Sequence, residues 1–272
     1  MAPSPSTEDQ APRPGDRWRE DLRAWAVPQE IIDNAPGPER SLEPERFRWR
    51  PEDDAKQPVR PSRRRALEAL PEGGSVLDIG VGGGASSLGL VPTPALITGV
   101  DPLAGMLASF AASAHAAGVA VRTVLGSWPD VADTVEPADV AVCHHAIYYV
   151  AEIEDFVTAL TARARHRVLL EVSAYAPVAG LAPLWQALHG IDRSDRPAAD
   201  QAQAVVAAMG LAVEREDMVL PAQRQEVTPD LVAFIRHRLY VGPERDPEIE
   251  EFLCAREARE HRVAALWWPG AT

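Results

Sequence analysis

The sequence predicts an α/β fold, in which helices cover both faces of a doubly wound, mostly parallel sheet of seven strands. Two observations carry this prediction. From residue 75 to residue 173, short runs of β-branched and aliphatic residues alternate with helical segments, which is typical of a parallel sheet. The first run ends in "VLDIGVGGG", an acid followed by four glycines, as expected where a strand turns into a helix beside a ligand.

The first 61 residues precede the alternating pattern. Residues 1–15 are rich in Pro, Ser and acidic side chains, which predicts a disordered tail. Residues 16–61 are expected to form N-terminal helices followed by a Pro-rich arm or lid, with Asp16 as N-cap of the first helix and Pro28 opening the second. Prolines recur every few residues from Pro36 to Pro61, a density that predicts no regular element there.

Residues 62–272 are predicted to form the ligand-binding α/β domain. Its strands are expected at 75–79, 95–100, 119–125, 138–143, 166–173, 211–220 and 262–268. The last of these could instead extend the preceding helix. Its helices are expected from 62, after the glycines, and at 102–117, 153–164, 183–190, 200–210, 228–241 and 246–258. The segments 176–199 and 221–258 depart from the minimal pattern and are predicted to be insertions that cap the substrate.

Composition and charge exclude several classes of protein. The formal net charge of −13 on 272 residues disfavours a nucleic-acid partner. Two distant cysteines give no disulfide framework, and with no signal-peptide pattern at the N-terminus this fits a reducing cytoplasm. No apolar run approaches the roughly 20 residues of a membrane span. The consecutive Cys143, His144 and His145 cannot readily converge on one ion, so no metal site is expected.

Two acids narrow the class of ligand that the glycines would bind. Asp78 opens the pattern D-x-G-x-G-x-G, which continues through Gly80, Gly82 and Gly84. A carboxylate there would pair with an ammonium group, whereas the pyrophosphate of a dinucleotide would gain nothing from it. Asp101 closes the second strand, where a carboxylate accepts hydrogen bonds from ribose hydroxyls. A ligand that carries both an ammonium group and a ribose is S-adenosylmethionine (SAM).

Residues 62–175 resemble the class I SAM-dependent methyltransferases that act on small molecules. The resemblance lies in "VLDIGVGGG", "ITGVDPLAGML", "VLGSWPD" and "ADVAVCHHAIYYV". It implies SAM as cofactor, S-adenosylhomocysteine as product, and a methionine, ribose and adenine subsite in that order along the chain. The implied cofactor-binding residues are Asp78, Gly80, Gly82, Gly84, Asp101, Pro102, Ser127, Trp128 and His144.

Several of these roles have structural alternatives. Asp78 could bond only the loop backbone, and Asp101 with Pro102 could be a helix N-cap. Trp128 could be a core residue rather than a neighbour of the adenine. At the level of the whole chain, the alternatives are an NAD(P)-binding oxidoreductase that uses the same glycine loop, or a methyltransferase-like protein that binds SAM without turnover.

The candidate catalytic group comes from "CHHAIYY", which follows the fourth strand. His144 is preferred over His145 because it follows the strand end most directly, and it would act as a base on a hydroxyl or protonated amine. The alternative is that neither histidine is catalytic. This segment lacks the Asn/Asp-Pro-Pro-aromatic loop of many adenine or glutamine methylating enzymes and the Pro-Cys of pyrimidine C5 enzymes. The acceptor is therefore expected to be a small organic molecule, methylated at O or N rather than C.

Four further side chains are candidates for contact with the acceptor, although packing is an alternative role for each: Trp49, Trp185, His189 and Tyr240. Trp267 and Trp268 are expected to pack the end of the sheet. The identity of the acceptor and the oligomeric state do not follow from the sequence.

Overall fold

A computed structural model describes residues 11–36, 44–176, 179–222, 226–257 and 260–271. Its centre is one seven-stranded sheet in the order β3-β2-β1-β4-β5-β7-β6, which confirms the predicted fold class. The strands are β1 (Ser75–Ile79), β2 (Leu96–Asp101), β3 (Ala120–Leu125), β4 (Ala138–His144), β5 (Ala164–Ser173), β6 (Glu214–Leu220) and β7 (His261–Pro269).

The direction of the strands locates the ligand crevice. β1 to β5 pair in parallel, and β7 runs antiparallel between β5 and β6, so the last segment is a strand and not a continuation of the helix before it. The chain order reverses at β1, which has β2 on one side and β4 on the other. In sheets of this kind the ligand binds outside the carboxyl ends of the strands at such a switch point.

Twelve α-helices are described around the sheet and at its carboxyl edge. They are α1 (Pro14–Trp25), α2 (Gln29–Asp33), α3 (Pro44–Phe47), α4 (Pro51–Asp54), α5 (Pro61–Ala69), α6 (Ala85–Leu88), α7 (Ala104–Ala116), α8 (Ile153–Ala162), α9 (Ala182–His189), α10 (Ala199–Ala208), α11 (Pro229–Leu239) and α12 (Asp246–Ala255). Thr228 caps α11 as predicted, because its side chain accepts a hydrogen bond from the amide of Leu231 at 3.2 Å.

The core lies in two layers, one on each face of the sheet. Successive residues of a strand point to opposite faces. Leu77 and Trp268 accordingly belong to one buried cluster, and Val76 and Trp267 belong to the other. The two tryptophans are buried on opposite faces of β7, which confirms that both pack the sheet.

The N-terminal region differs from its prediction in several respects. Helix α1 begins at Pro14 with Arg13 as N-cap, so the last two residues of the predicted disordered tail are helical, and Asp16 lies inside the first turn and is not the cap. Pro28 is the N-cap of α2, which begins at Gln29. The expectation of no regular element between Pro36 and Pro61 is wrong, because α3 and α4 form there. Each starts with a proline, and proline costs nothing at a first helical position, where its missing N–H has no partner in any case. Residues 1–10 of the expected tail and residues 37–43 of the arm lie outside the described residues.

Helices α9, α11 and α12 pack on one another as a separate apolar cluster, here called the cap. Trp185 is 3% exposed within it, and its ring lies 4.8 Å from that of His189 and 6.0 Å from that of Tyr240. These three aromatic candidates therefore stabilise the interior of the cap. The arm reaches the cap through Arg46, whose guanidinium lies 4.1 Å from the ring centre of Phe234. None of the helices in the described ranges is both long and apolar enough to cross a membrane.

Candidate cofactor and acceptor site

The loop between β1 and α6 has the backbone that its glycines predict. Gly80, Gly82 and Gly84 have φ values of +68°, +51° and +94°, which other residues adopt only with strain. A Cβ on Gly80 would also collide with the side chain of Ala146, so the loop packs tightly against the segment after β4. Helix α6 is a single turn, and its dipole is correspondingly small. The backbone amides of the loop are therefore its main resource for a ligand carboxylate.

Asp78 is buried beneath this loop with half of its carboxylate unused. Its Oδ2 accepts hydrogen bonds from the hydroxyls of Ser86 and Ser87, each at 2.6 Å. Its Oδ1 is buried and has no hydrogen-bond partner among the described residues. Burial raises the pKa of the carboxyl to about 6, against the two serine hydrogen bonds, which lower it. A buried acceptor atom beside the glycine loop is what an ammonium group would require, so the site fits the methionine part of SAM.

Asp101 ends β2 and is 6% exposed. Its two oxygens accept hydrogen bonds from the amides of Gly82 at 3.0 Å and Leu103 at 2.9 Å. It therefore links the glycine loop to the start of α7, which is more than the N-cap alternative requires. The carbonyl of Asp101 also accepts a hydrogen bond from Gly126, which brings the segment after β3 alongside it.

The residues predicted to lie near the adenine differ in their exposure. Pro102, Leu103 and Ser127 are exposed at the carboxyl edge of the sheet, as residues in contact with a ligand would be. Trp128 instead turns inward: it is 7% exposed, and its indole N–H donates to the carbonyl of Phe156 at 3.3 Å. The indole is committed to the core, and its contact with adenine stays a prediction.

The arm lies directly on the glycine loop. The amide of Trp49 donates to the carbonyl of Gly83 at 3.3 Å, and a Cβ on Gly83 would overlap the carbonyl of Phe47. On the far side, the carbonyl of Trp49 lies 3.5 Å from the hydroxyl of Ser113 in α7. These main-chain contacts hold the arm as a roof over the glycine loop, and contact of the Trp49 side chain with an acceptor stays a prediction.

A cavity of about 510 Å³ lies under this roof, between the glycine loop and the carboxyl ends of β4 and β5. The glycine loop lines one end of it, and His144, His145 and Glu171 line the other, with Arg60 at its side. His144 ends β4, and its Nε2 is buried with no hydrogen-bond partner among the described residues. Burial lowers the pKa of His144 to about 4, although the charge of Glu171 acts to raise it. The imidazole is therefore neutral at neutral pH, and its ring nitrogen can bond a ligand.

The other histidine belongs to a polar cluster around Glu171, here called the carboxylate cluster. Glu171 is 1% exposed and pairs with Arg60, accepts a hydrogen bond from Ser62 at 2.5 Å, and lies 3.1 Å from Nε2 of His145. Burial opposes the ionisation of Glu171, but the positive charges and donors around it outweigh burial and hold the pKa of the carboxyl well below its usual range. His145 has a φ of +57°, a conformation that this cluster maintains.

Sequence reasoning missed Glu171 and Arg60. Glu171 interrupts the apolar run "VLLEVS" of β5, and a single acid at a position that the strand buries was a usable signal. Arg60 had no such signal, because only the folded arm brings it to β5. Among the described residues, no three His, Cys, Asp or Glu side chains are grouped so as to hold a metal ion.

Comparisons with known proteins agree with this geometry. Residues 76–168 match the family described as methyltransferase domain. The YcgJ protein from Bacillus subtilis has a similar structure, with 18% identity, a TM-score of 0.52, and 78% of this chain and 98% of that chain covered. A SAM-dependent methyltransferase from Thiobacillus denitrificans, solved with S-adenosylhomocysteine, gives 20% identity, a TM-score of 0.51, and coverage of 90% and 99%.

A third similar structure is magnesium protoporphyrin IX methyltransferase from Synechocystis PCC 6803 with bound S-adenosylhomocysteine. Its identity is 13%, its TM-score 0.50, and the coverage is 95% of this chain and 100% of that chain. No curated protein matches the sequence. At these identities the similar structures support only the fold, whereas the matched domain supports methyl transfer. Both results weigh against the alternative of an NAD(P)-binding oxidoreductase. The matched methyltransferase domain and the shared fold indicate a class I SAM-dependent methyltransferase, with SAM as its cofactor.

Proposed function

We propose that this enzyme transfers the methyl group of SAM to an oxygen or nitrogen atom of a small organic acceptor, with His144 in contact with that acceptor. The observation that carries the proposal is the buried Nε2 of His144, which has no hydrogen-bond partner among the described residues. His144 lines the same cavity as the glycine loop, and its imidazole is neutral at neutral pH.

On the cofactor side, the residues would divide the ligand by charge. Asp78 would take the ammonium group on its free Oδ1, and the amides around Gly82 would take the carboxylate. Asp101 would exchange its backbone bonds for the ribose hydroxyls, while Pro102, Ser127 and Trp128 would border the adenine. When bound, SAM supplies a methyl carbon that its sulfonium makes electrophilic.

On the acceptor side, the chain has to align a nucleophile and remove its proton. A neutral imidazole at position 144 can accept a hydrogen bond from a hydroxyl or amine, and it brings no positive charge toward a sulfonium. A carbon acceptor would make little use of such a partner, which favours O or N. The roof formed by the arm and its contact with the cap would exclude water from this end of the cavity.

The size of the cavity and the charge of the molecule support a small acceptor. The cavity of about 510 Å³ is of the volume that small-molecule ligands occupy. A net charge of −13 would repel a nucleic acid. A second unit of the same chain is not required by any of these arguments.

Calorimetric titration with S-adenosylhomocysteine and, separately, with NADH tests the cofactor. Binding of NADH alone would contradict the proposal. A panel of small hydroxyl and amine compounds incubated with SAM labelled in its methyl group then tests the acceptor. Label should appear on oxygen or nitrogen, and transfer only to carbon would refute the proposed acceptor class.

A further inference from the structure

Glu171 lies beside His144 but makes no hydrogen bond to it. β4 and β5 are paired in parallel, and their register sets His144 directly beside Glu171 at the carboxyl edge. Both residues line the cavity. The carboxylate makes its hydrogen bonds to Arg60, Ser62 and His145, and none to His144. A fixed negative charge therefore lies next to the imidazole without occupying its free nitrogen.

Three elements hold this charge in place. Arg60 comes from the residue before α5, Ser62 from the first turn of α5, and His145 from the segment after β4. His145 is in turn 3.5 Å from the hydroxyl of Ser173, which is 3.4 Å from His261 of β7. These donors keep Glu171 ionised although it is 1% exposed, and a buried carboxylate with so many partners cannot move far.

We propose that Glu171 is the counter-charge of His144: it stabilises the imidazolium that forms when His144 takes the proton of the acceptor. This inference rests on the proposed function and deepens it. Glu171 is a positioning residue, since it acts through His144 and not on the reacting atoms. Arg60 and His145 set how much of its charge His144 experiences.

The step balances in atoms and charge. The lone pair of the acceptor oxygen or nitrogen forms the bond to the methyl carbon, and the bond between that carbon and sulfur breaks with its electron pair left on sulfur. The proton of the acceptor moves to Nε2 of His144. The positive charge thus leaves the sulfonium and arrives on His144, beside Glu171. His144 later gives the proton to water in the cavity.

The groups that face His144 act in opposite directions. Burial disfavours its charged form most, and Arg60 and His145 do so as well, whereas Glu171 favours it. Tyr148 and His261 lie beyond His145 around Ser173. Removing the charge of Arg60 should therefore raise the pKa of His144, and removing the charge of Glu171 should lower it further.

The test measures His144 directly by NMR titration of the histidines in the full chain, with His144→Asn to assign its signal. We expect Arg60→Gln to raise the pKa of His144 by about one unit from its value near 4. Arg60→Lys keeps the cation and should restore the original value. Arg64→Gln is the matched control, since Arg64 lies in α5, the helix that Arg60 precedes, but pairs with Glu216. An unchanged titration of His144 in Arg60→Gln would overturn the inference.

Turnover provides the second readout, with the acceptor found in the labelling panel. Glu171→Gln should lower kcat about 10-fold or more while S-adenosylhomocysteine binds as before. In Arg60→Gln, the acid limb of the pH profile of kcat should move to higher pH by the same shift in the pKa of His144 that NMR measures. A normal kcat in Glu171→Gln would contradict the inference. Calorimetry of the wild-type chain separates the two claims, because absence of binding there contradicts the proposed function, whereas the NMR titration needs neither cofactor nor acceptor.

Discussion

The candidate site has a proposed cofactor half and a proposed acceptor half, and the two are built in different ways. The cofactor half comes from one continuous stretch: β1, the glycine loop and the end of β2 lie within residues 75–101. The acceptor half gathers Arg60 from the arm, His144 and His145 from the end of β4, and Glu171 from β5. One half is therefore local in sequence, and the other exists only after folding.

The halves also differ in what they leave unsatisfied. In the cofactor half, a buried carboxylate oxygen of Asp78 has no partner among the described residues, which suits a cationic group. In the acceptor half, the carboxylate of Glu171 is fully engaged, and within the same described ranges it is a neutral ring nitrogen of His144 that has no partner. In the proposed function, the first half recognises charge and the second transfers a proton. The comparison predicts that mutations will separate binding from turnover according to the half in which they lie.

The largest effect is expected from Asp101→Ala. Two charge-assisted hydrogen bonds to the ribose would be lost, which should weaken binding of SAM by roughly 10²- to 10⁴-fold. Asp101→Asn keeps one acceptor oxygen and should lose less. Calorimetry with S-adenosylhomocysteine measures both, and Asp133→Ala, at an exposed ion pair with Arg163, serves as control. Unchanged affinity in Asp101→Ala would refute the ribose role.

His144→Asn should separate the halves in the other direction. Loss of a positioned base lowers kcat by about 10²- to 10⁴-fold, with the affinity for S-adenosylhomocysteine preserved. The control is His166→Asn, because His166 lies near the start of β5, at the end of the strand away from the site. Equal losses of binding and turnover would mean that His144 is part of the cofactor half, and a normal kcat would remove it from the mechanism.

Most of the fold could be predicted because periodicity carries it. The alternation of strand and helix signals gave all seven strands, including β7, where the alternative was a longer helix. The arm was predicted less well, since a high density of proline was taken to exclude helices. Proline excludes only positions after the first turn, and α3 and α4 are short enough to lie within that allowance.

How well the site residues could be predicted depends on whether they lie close together in the sequence. Asp78, the glycines and Asp101 could be proposed from the sequence because their spacing along the chain is itself the signal, and the structure brings them together at one edge of the sheet. Trp128 was ambiguous because an aromatic side chain after a strand serves a core as well as a ligand, and its indole lies in the core. The carboxylate cluster escaped prediction because 111 residues separate Arg60 from Glu171. Only the docking of the arm brings them together.

Asp78→Asn is expected to have a smaller effect, which increases the stability of the chain without ligand and decreases its affinity for SAM. Burial raises the pKa of Asp78 from 3.8 to about 6, so at neutral pH the folded chain carries the cost of a buried charge. The amide removes that cost, which should stabilise the chain without ligand by on the order of 2–3 kcal/mol, or several degrees in Tm. It also removes the partner of the ammonium group, so affinity for SAM should fall about 10-fold.

The pH dependence of this stabilisation gives a check on its cause. Because the pKa of this carboxyl is raised in the folded state, the free energy of unfolding falls as pH rises from the unfolded value of 3.8 to about 6. The cost is complete above about pH 6 and absent below 3.8. The difference in Tm between Asp78→Asn and the wild-type chain should therefore be full at pH 7 and vanish below pH 4. A constant difference would show that packing around the amide, and not the buried charge, is responsible.

The smallest effect concerns the arm, which touches both halves. A Cβ on Gly83 would overlap the carbonyl of Phe47, and backbone atoms cannot move aside as a flexible side chain can. Gly83→Ala should thus lift the arm, and trypsin should then cleave after Arg46 and Arg48 several-fold faster. Gly89→Ala is the control, since a Cβ there meets its nearest neighbour at 3.5 Å. If the arm joins the halves, Gly83→Ala should also release Arg60 from Glu171 and move the titration of His144 in the same direction as Arg60→Gln. Faster cleavage with an unmoved His144 would confine the arm to roofing the cofactor half.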